Sequence, residues 1–343
     1  MPNPPAPISK KPQPLGELAL IAAIRQRASG AKSPSVRLGI GDDCAILAPP
    51  ARHEIIVTTD FSLEGRHFRR DWHPAASVGH RTLARGLSDL ASMGAKPLAA
   101  FLSLALPRSV ASKSIWINGF LDGLLALAKT QRVPLAGGDT SESPSDHVLA
   151  DILLLGTAPA GRALRRSTAC PGDILYVTGS LGGAATELAI LAANPRKFRK
   201  ATAADDHPHL FPQPRLAVGQ VLLRRRLASA CIDLSDGLST DLAHLCDESN
   251  VSAEFNAARL PLHPLTKALP ETVALHNALH GGEDYELLFT ARPGTRMPRS
   301  IAGVRITPIG TLAAVKKGTP QVTLVEADGR RSALAPQGWQ HLK

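Results

Sequence analysis

Apolar residues recur along this chain in two patterns, one with the three-to-four-residue spacing of helices and one in short continuous runs typical of buried strands. In the first half, the helical spacing predicts helices at 15–28, 74–94 and 111–130. Apolar runs rich in β-branched residues predict strands at 36–40, 54–59, 98–106, 133–136 and 148–156. Strands and helices therefore alternate, which is typical of α/β and α+β domains.

Near residues 161–171, glycine, arginine and proline interrupt the apolar runs. The alternation of predicted strands and helices restarts after this segment. Beyond it we predict helices at 183–193, 214–227 and 238–249, with a polar stretch at 194–209. Strands are predicted at 173–178, 228–233, 251–255, 285–290, 304–309 and 321–326. The sequence thus predicts an α/β (α+β) fold with two domains, each a mixed sheet covered by helices. Their predicted bounds are 15–160 and 161–343, after a disordered proline-rich tail at 1–14.

The composition is that of a globular protein, with 343 residues, 44% of them hydrophobic and 20% charged. That length is sufficient for two domains with separate cores. No apolar stretch approaches the roughly 18 residues that span a bilayer, and residues 1–14 lack the apolar segment of a signal peptide. We therefore expect no membrane partner. The four cysteines have no metal-binding spacing, so we expect buried free thiols and a cytoplasmic location.

The net charge of +10 raises the question of a polyanionic partner. A nucleic-acid-binding protein is one interpretation. However, only 4% of the residues are aromatic, and the basic residues stand in short, separate runs. We therefore expect no nucleic-acid partner and favour small polyanionic substrates.

Carboxylates appear repeatedly where an apolar run ends, most of them beside glycine. Several carboxylates that converge repel one another, by roughly 4 kcal/mol for a pair about 4 Å apart at an effective dielectric near 20. Hard divalent cations with oxygen ligands offset such repulsion. The pattern therefore predicts a magnesium-dependent phosphate enzyme. The motifs are Gly41-Asp42-Asp43, Thr58-Thr59-Asp60, Ser88-Asp89, Gly137-Gly138-Asp139-Thr140, Asp233-Leu234-Ser235-Asp236-Gly237 and Gly281-Gly282-Glu283-Asp284.

Taken singly, most of these motifs also have a structural interpretation, as turns or as helix caps. Asp89 is different, because it lies inside a predicted helix beside Leu87 and Leu90, and a buried aspartate needs a partner. The motif 233–237 is the strongest, since it places two carboxylates and a hydroxyl at a positive helix N-terminus.

The chain contains no G-x-x-x-x-G-K-[ST] motif, which excludes a P-loop as the nucleotide site. The segment 137–140 after a predicted strand has the character of a phosphate or metal loop. Arg166 in the segment 161–167 offers a guanidinium suited to phosphate oxygens, although a solvated basic loop explains it equally well.

Seven ordered segments resemble the thiamine-monophosphate kinases, which belong to the ATP-binding superfamily of aminoimidazole ribonucleotide synthetase and selenophosphate synthetase. The segments are 38–47, 57–68, 83–107, 137–144, 161–182, 232–244 and 279–290. The resemblance implies transfer of a phosphoryl group from ATP to thiamine monophosphate, the last step in making thiamine diphosphate. It also implies a homodimer in which the N-terminal halves form a shared barrel-like sheet. Another enzyme of the superfamily with a different acceptor is the main alternative.

The resemblance further implies a set of site residues. Several Mg²⁺ ions would be bound by Asp43, Thr58, Thr59, Asp60, Asp89, Asp139, Asp233 and Asp236. ATP would contact Gly138, Asp139, Arg166 and Ser235, and thiamine monophosphate would contact His67, Glu283 and Trp339. Arg85 and Glu142 depart from the usual family pattern, but neither replaces a ligand of this set.

Overall fold

The computed structural model of the protein describes residues 17–29, 33–111 and 114–339. The predicted tail at 1–14 lies outside these residues. The helices of the described residues are α1 (Glu17–Ala28), α2 (Ala75–Ser92), α3 (Arg108–Ala111), α4 (Ser114–Gln131), α5 (Gly183–Ala193), α6 (Leu216–Arg224), α7 (Leu238–Ser249) and α8 (Glu271–His280). Among the residues described, none of these helices is long and apolar enough to cross a membrane.

The strands form two main sheets and one small pair. The first half contains β1 (Val36–Leu38), β2 (Ile46–Leu47), β3 (His53–Leu63), β4 (Lys96–Leu106), β5 (Leu135–Glu142) and β6 (Leu149–Pro159). The second half contains β7 (Ile174–Thr178), β8 (Ala230–Asp233), β9 (Val251–Asn256), β10 (Leu287–Ala291), β11 (Ser300–Ile301), β12 (Val304–Ala314), β13 (Val322–Val325) and β14 (Arg331–Ala333).

The first half is built on a four-stranded mixed sheet in the order β3-β6-β4-β5, in which only β4 and β5 run parallel. Helix α2 lies against β3 and β6, and α4 packs beside α2. The two helices approach so closely that a Cβ atom at Gly79 would lie 1.8 Å from the carbonyl oxygen of Phe120. Glycine is needed there because no side chain fits between the two backbones. This packing fixes the position of α2, which carries Asp89.

The second half is built on a larger mixed sheet in the order β14-β13-β9-β12-β7-β10-β8, with β11 paired to β12. Its strands are antiparallel except for the parallel pair β9 and β13. A buried apolar cluster that includes Leu242, Phe255 and Leu288 packs between this sheet and α7. Two mixed sheets covered by helices confirm the predicted fold class.

The two halves share one continuous apolar core. Helix α6 of the second half packs on α2, and a Cβ atom at Gly219 would lie 1.9 Å from the carbonyl oxygen of Ala91. A further contact is made by His80 of α2, whose Nε2 lies 2.8 Å from the carbonyl oxygen of Pro212. Helix α2 is therefore held from both sides, by the first sheet and α4 on one side and by the second half on the other.

Two strands run further than the apolar pattern predicts. The strand predicted at 54–59 extends over β3, so Thr58 and Asp60 lie inside a strand. Likewise the segment 137–140 lies within β5, where Asp139 pairs with Ser103 of β4, and is not a loop. Hydrogen bonds to a neighbouring strand stabilise these polar residues in extended form, which a local pattern cannot reveal. Helix α8 is also absent from the elements that the sequence predicts.

Candidate active site

A cavity of about 690 Å³ lies between the two halves. Its walls come from β3, α2 and the segment 65–73 on one side, and from residues 184–192, 233–236 and 282–285 on the other. The cavity brings together residues that lie up to 279 positions apart, from Asp60 to Trp339. The predicted site residues in its lining are Asp60, His67, Asp89, Asp233, Ser235, Asp236, Glu283 and Trp339.

Four of these residues form what we call the acidic cluster: Asp60 on β3, Asp89 on α2, Asp233 at the end of β8 and Asp236 in the following loop. Neighbouring hydroxyls bind two of the carboxylates. The Thr58 hydroxyl donates a short hydrogen bond to Asp89, and Ser88 Oγ donates to Asp233 Oδ2 at 2.7 Å. Ser88 and Asp89, which are adjacent on α2, thus contact Asp233 of the second half and Thr58 of β3.

The acidic cluster is electrostatically strained. Burial raises the pKa of Asp89, and the charges of Asp233 and Asp60 raise it further. Burial also raises the pKa of Asp233, with a further contribution from Asp60. The pKa of Asp60 is raised by burial as well, although Arg85 opposes this shift. A bound cation would relieve the repulsion that these shifts report.

The donor set of the acidic cluster fits a hard divalent cation, because it consists of carboxylate and hydroxyl oxygens. Within the described residues, no three His, Cys, Asp or Glu side chains form a ready-made cage for one ion. Mg²⁺ does not require such a cage, since it keeps several waters and binds through one or two carboxylates together with substrate phosphates. The cluster therefore fits Mg²⁺ bound jointly with a phosphate ligand.

Glu283, across the cavity, has the opposite environment. Arg81 Nη2 donates to both of its carboxylate oxygens, at 2.8 and 2.9 Å, and His209 Nδ1 lies 3.2 Å from Oε2. Burial alone would raise the pKa of Glu283, but the charge of Arg81, the hydrogen bond from His209 and the charge of Arg85 hold it well below its usual range. Glu283 is therefore a stable carboxylate whose partners belong to the protein.

The backbone around Glu283 is fixed by the loop that follows β8. The Glu283 amide donates to the carbonyl oxygen of Ser235 at 2.8 Å, and the Tyr285 amide donates to that of Leu234 at 2.9 Å. Glu283 has a φ of +68° and Tyr285 a φ of +49°, a region that L-residues rarely adopt. Non-glycine residues keep such a conformation only where the surroundings enforce it. The segments 234–235 and 283–285 thus fix each other's position.

Asp284, the neighbour of Glu283, has a structural role. Its carboxylate accepts hydrogen bonds from the amides of Gly182, at 2.7 Å, and Ala184, at 3.1 Å, where α5 begins. The carboxylate thus satisfies amides that have no partner within the helix. Of the motif 281–284, Glu283 faces the cavity and Asp284 fixes the adjacent helix.

Trp339 reaches the cavity because the segment 337–339 docks on the start of α7. The Trp339 amide donates to the carbonyl oxygen of Asp236 at 3.1 Å, and the Gly338 amide donates to Thr240 Oγ1 at 3.0 Å. A Cβ atom at Gly338 would lie 2.0 Å from the Asp236 oxygen, so glycine is required there. The Trp339 side chain remains 48% exposed, and the indole forms part of the cavity wall.

His67 lies in the loop after β3, and its position is fixed by the backbone. Its Nδ1 accepts a hydrogen bond from the Leu63 amide at 2.9 Å, and its carbonyl oxygen accepts one from Arg81 Nη2 at 3.0 Å. Arg81 therefore connects His67 with Glu283, two of the residues predicted to contact the substrate.

The remaining predicted residues lie outside the cavity lining. Thr58 contacts the acidic cluster through Asp89, whereas Thr59 Oγ1 donates to Asp151 at 2.7 Å on the opposite face of the sheet. Gly138 and Asp139 lie on β5, three strand spacings or about 14 Å from β3. Asp43 is exposed and follows β1.

Arg166 is also exposed, but its charge opposes the rise in the pKa of Asp233. Thus the guanidinium acts electrostatically on the acidic cluster without forming part of the cavity wall.

Comparison with known proteins identifies the family. The profile described as AIR synthase related protein, N-terminal domain, matches residues 41–158, and the profile of the corresponding C-terminal domain matches residues 170–297. The thiamine-monophosphate kinase of Escherichia coli (strain K12) is 40% identical over 333 residues, which is 95% of this chain and 98% of that protein. The chain belongs to the thiamine-monophosphate kinase family.

Solved structures of thiamine-monophosphate kinases also share the fold. The crystal structure of the enzyme from Stenotrophomonas maltophilia K279a has a TM-score of 0.79 at 37% identity, covering 92% of this chain and 98% of that one. A structure of AaThiL complexed with AMPPCP and TMP has a TM-score of 0.73 at 28% identity, covering 96% and 97% of the two chains.

Several residues in or next to the cavity of this thiamine-monophosphate kinase family member are absent from the sequence-based prediction. Arg81 and His209 hold Glu283, and His73 Nε2 lies 3.0 Å from His209 Nε2. Arg81 and Arg85 stand four positions apart on α2 and therefore lie on the same face of the helix. This spacing is visible in the sequence and could have indicated a pair of functional arginines. His209 lies in the polar stretch 194–209, where no local pattern marked it.

Proposed function

We propose that this protein transfers the γ-phosphoryl group of ATP to the phosphate of thiamine monophosphate, producing thiamine diphosphate and ADP. The observation that carries this proposal is the single cavity that holds the strained acidic cluster on one side and the compensated Glu283 on the other. AMPPCP and TMP in the related AaThiL structure support the same pair of ligands here.

In this reaction an oxygen of the acceptor phosphate forms a bond to the γ-phosphorus, and the bond from that phosphorus to the β,γ-bridging oxygen breaks, with its electrons leaving on ADP. The acceptor oxygen is already largely ionised near neutral pH, so no strong general base is needed. The main obstacle is the approach of two polyanions. The protein must therefore position the reactants in line and neutralise their charge.

We propose Mg²⁺ as the cation that the acidic cluster binds, with the Thr58 hydroxyl beside Asp89. Bound Mg²⁺ would neutralise phosphate oxygens and orient the transferred group. Asp60, Asp89, Asp233 and Asp236, which line the cavity, would supply the ligands there. The predicted ligands Asp43, Thr59 and Asp139 would belong to an extension of this site beyond the cavity of one chain.

The substrate assignment places thiamine monophosphate against His67, Glu283 and Trp339. The cationic thiazolium ring suits both the indole face of Trp339 and the negative charge of Glu283. For ATP, we propose contacts with Ser235 in the cavity wall and with Gly138, Asp139 and Arg166 outside it.

A homodimer would explain why part of the predicted ligand set lies outside the cavity. The outer face of the four-stranded sheet exposes Ile55, Val57 and Phe61 by 48%, 59% and 61%, beside Thr59. Asp139 shares this face, since it aligns with Ser103 and Asp151 in one cross-strand row. We propose that a second copy covers this face. Sedimentation equilibrium tests this, and a monomer at micromolar concentration would contradict it.

Two broader assignments follow the same proposal. We place the domain boundary near residue 160, between the two main sheets, in support of domains at 15–160 and 161–343. We also propose a cytoplasmic location, since Cys44, Cys170, Cys231 and Cys246 are all free thiols.

The decisive experiment is chromatographic detection of thiamine diphosphate after incubation of the purified protein with thiamine monophosphate, ATP and Mg²⁺. Free thiamine as acceptor and EDTA in place of Mg²⁺ are the controls. We expect product only from the monophosphate and only with the metal. Absence of product, with AMPPCP still bound, would refute this acceptor.

A further inference from the structure

Arg85 occupies a position between the two sides of the cavity. Its guanidinium lies 3.4 Å from Asp60 of the acidic cluster through Nη2 and 3.4 Å from Glu283 through Nη1. The side chain is 15% exposed and forms part of the cavity wall. Arg85 thus contacts both the acidic cluster and Glu283.

The hydrogen-bonding capacity of Arg85 is largely unused. A guanidinium carries five N–H donors, and only the two contacts at 3.4 Å, long for charge-assisted bonds, occupy them among the described residues. Its Nε–H is buried and has no hydrogen-bond partner within the described part of the chain. A buried donor without a partner is unfavourable, so the resting arrangement leaves Arg85 short of an acceptor.

Glu283 has closer partners than Arg85. Both oxygens of that carboxylate already accept hydrogen bonds from Arg81 at 2.8 and 2.9 Å. Asp60 is the other partner, and it belongs to the acidic cluster that fits a divalent cation. Once a cation balances Asp60, Arg85 shares its remaining counterion, Glu283, with the closer Arg81.

We propose that Arg85 binds the phosphate group of the acceptor substrate through its guanidinium. A phosphate monoester offers several anionic oxygens, which match the planar fork of an arginine in both charge and geometry. The position next to Glu283 selects the acceptor phosphate, because the acidic cluster lies on the other side of the guanidinium. This inference rests on the proposed function and specifies the contact that distinguishes thiamine monophosphate from thiamine.

The test measures the contribution of the phosphate to binding. Isothermal titration gives the Kd of thiamine and of thiamine monophosphate in the presence of Mg²⁺ and AMPPCP, and their ratio is compared between variants. Arg85→Met removes the donors and the charge but retains an unbranched side chain. Arg224→Met removes an exposed charge at the end of α6 and serves as the matched control.

We expect Arg85→Met to lower the Kd ratio of thiamine to thiamine monophosphate by about tenfold to a hundredfold, the range for a charged hydrogen bond. The Kd of AMPPCP should change less than twofold, and Arg224→Met should resemble the unaltered protein. Arg85→Lys keeps the charge and loses the fork, so its ratio should fall between the two. This variant also gives an answer if Arg85→Met does not fold.

Two results would overturn the inference while leaving the proposed function intact. One is a Kd ratio in Arg85→Met and Arg85→Lys within twofold of the unaltered protein, which would make Arg85 a structural link between Asp60 and Glu283. The other is a loss confined to AMPPCP, which would assign Arg85 to the nucleotide. Failure of the proposed function is distinguishable, since the unaltered protein itself would then form no thiamine diphosphate.

Discussion

The carboxylates of the acidic cluster and the carboxylate of Glu283 lie in one cavity but have opposite electrostatic environments. Asp233 is buried and Asp60 and Asp89 are partly buried beside it, and the pKa values of all three are raised by burial and, in part, by mutual repulsion. Glu283 is partly buried beside two arginines and a histidine, and its pKa is held well below the usual range. The same chemical group is thus unstable as an anion on one side and stable on the other.

The difference separates residues that need a ligand from residues that are part of the framework. The framework carboxylate is that of Glu283, and the side chains of Arg81 and His209 compensate its charge. Removal of one of these partners should therefore lower the stability of the protein. The acidic cluster is only partly compensated by the protein, through Arg85 and Arg166, so removal of one member should damage activity and spare the fold. The following predictions test this distinction, from the largest expected effect to the smallest.

Arg81→Met should destabilise the protein by about 3–5 kcal/mol, because it leaves the partly buried Glu283 without its main partner. The same change removes the hydrogen bond to the His67 carbonyl oxygen. Urea unfolding measures the effect. Arg330→Met, which breaks the exposed pair with Glu326, is the matched control and should change stability by less than about 1 kcal/mol. Equal effects of the two changes would contradict the framework role of Glu283.

Asp89→Asn should lower kcat/KM by about a hundredfold to a thousandfold, because the acidic cluster loses one of its charges. The fold should persist, since the change also removes repulsion from Asp233 and Asp60. Steady-state kinetics and thermal unfolding measure the two quantities. Asp328→Asn in an exposed turn is the control. Near-normal kinetics of Asp89→Asn would remove the cluster from the mechanism.

The pH dependence of stability should reveal the same repulsion without magnesium. The pKa of Asp89 is raised by burial and by neighbouring charge. Stability linked to such a carboxyl is fully present below its pKa in the unfolded chain and is lost as pH rises through its pKa in the folded chain. Asp89→Asn should therefore stabilise the protein by about 1–2 kcal/mol more at pH 8 than at pH 5. Urea unfolding in EDTA at both pH values tests this, and a gain of equal size at both would refute it.

Trp339→Ala should have the smallest effect, a rise of about twofold to fivefold in the KM for thiamine monophosphate. A half-exposed indole contributes about 0.5–1 kcal/mol to a cation–π contact. The KM for ATP should stay the same. Val315→Ala, another exposed apolar position, is the control. A parallel rise in both KM values would make Trp339 a packing residue.

The sequence predicts the fold class and the acidic cluster because both have local signals. Asp89 stood out as an aspartate among leucines in a helix, and the structure places it against Asp233, 144 positions later. The motif 233–237 was expected to begin a helix, and α7 begins directly after it at Leu238. Patterns of burial and turn chemistry are sufficient for such residues.

The compensated side of the cavity could not be predicted in the same way. Arg81 and His209 act through Glu283, and these three residues meet only through the packing of α2 against the second half. The strand positions of Thr59 and Asp139 depend on neighbouring strands, so a local interpretation as loops or caps was wrong for the segment 137–140. Long-range pairing, not local propensity, decides these positions.

The docking of residues 337–339 on Asp236 and Thr240 has a consequence for synthesis of the protein. The last strand of the second sheet ends at Ala333, and all four carboxylates of the acidic cluster precede it in the chain, so neither feature includes residues 337–339. A chain that stops between residues 334 and 336 would keep both main sheets and the acidic cluster and would lack the indole. Such truncated chains should fold and bind metal with nucleotide while holding the thiamine rings poorly, which would make them competitors for ATP without being efficient catalysts.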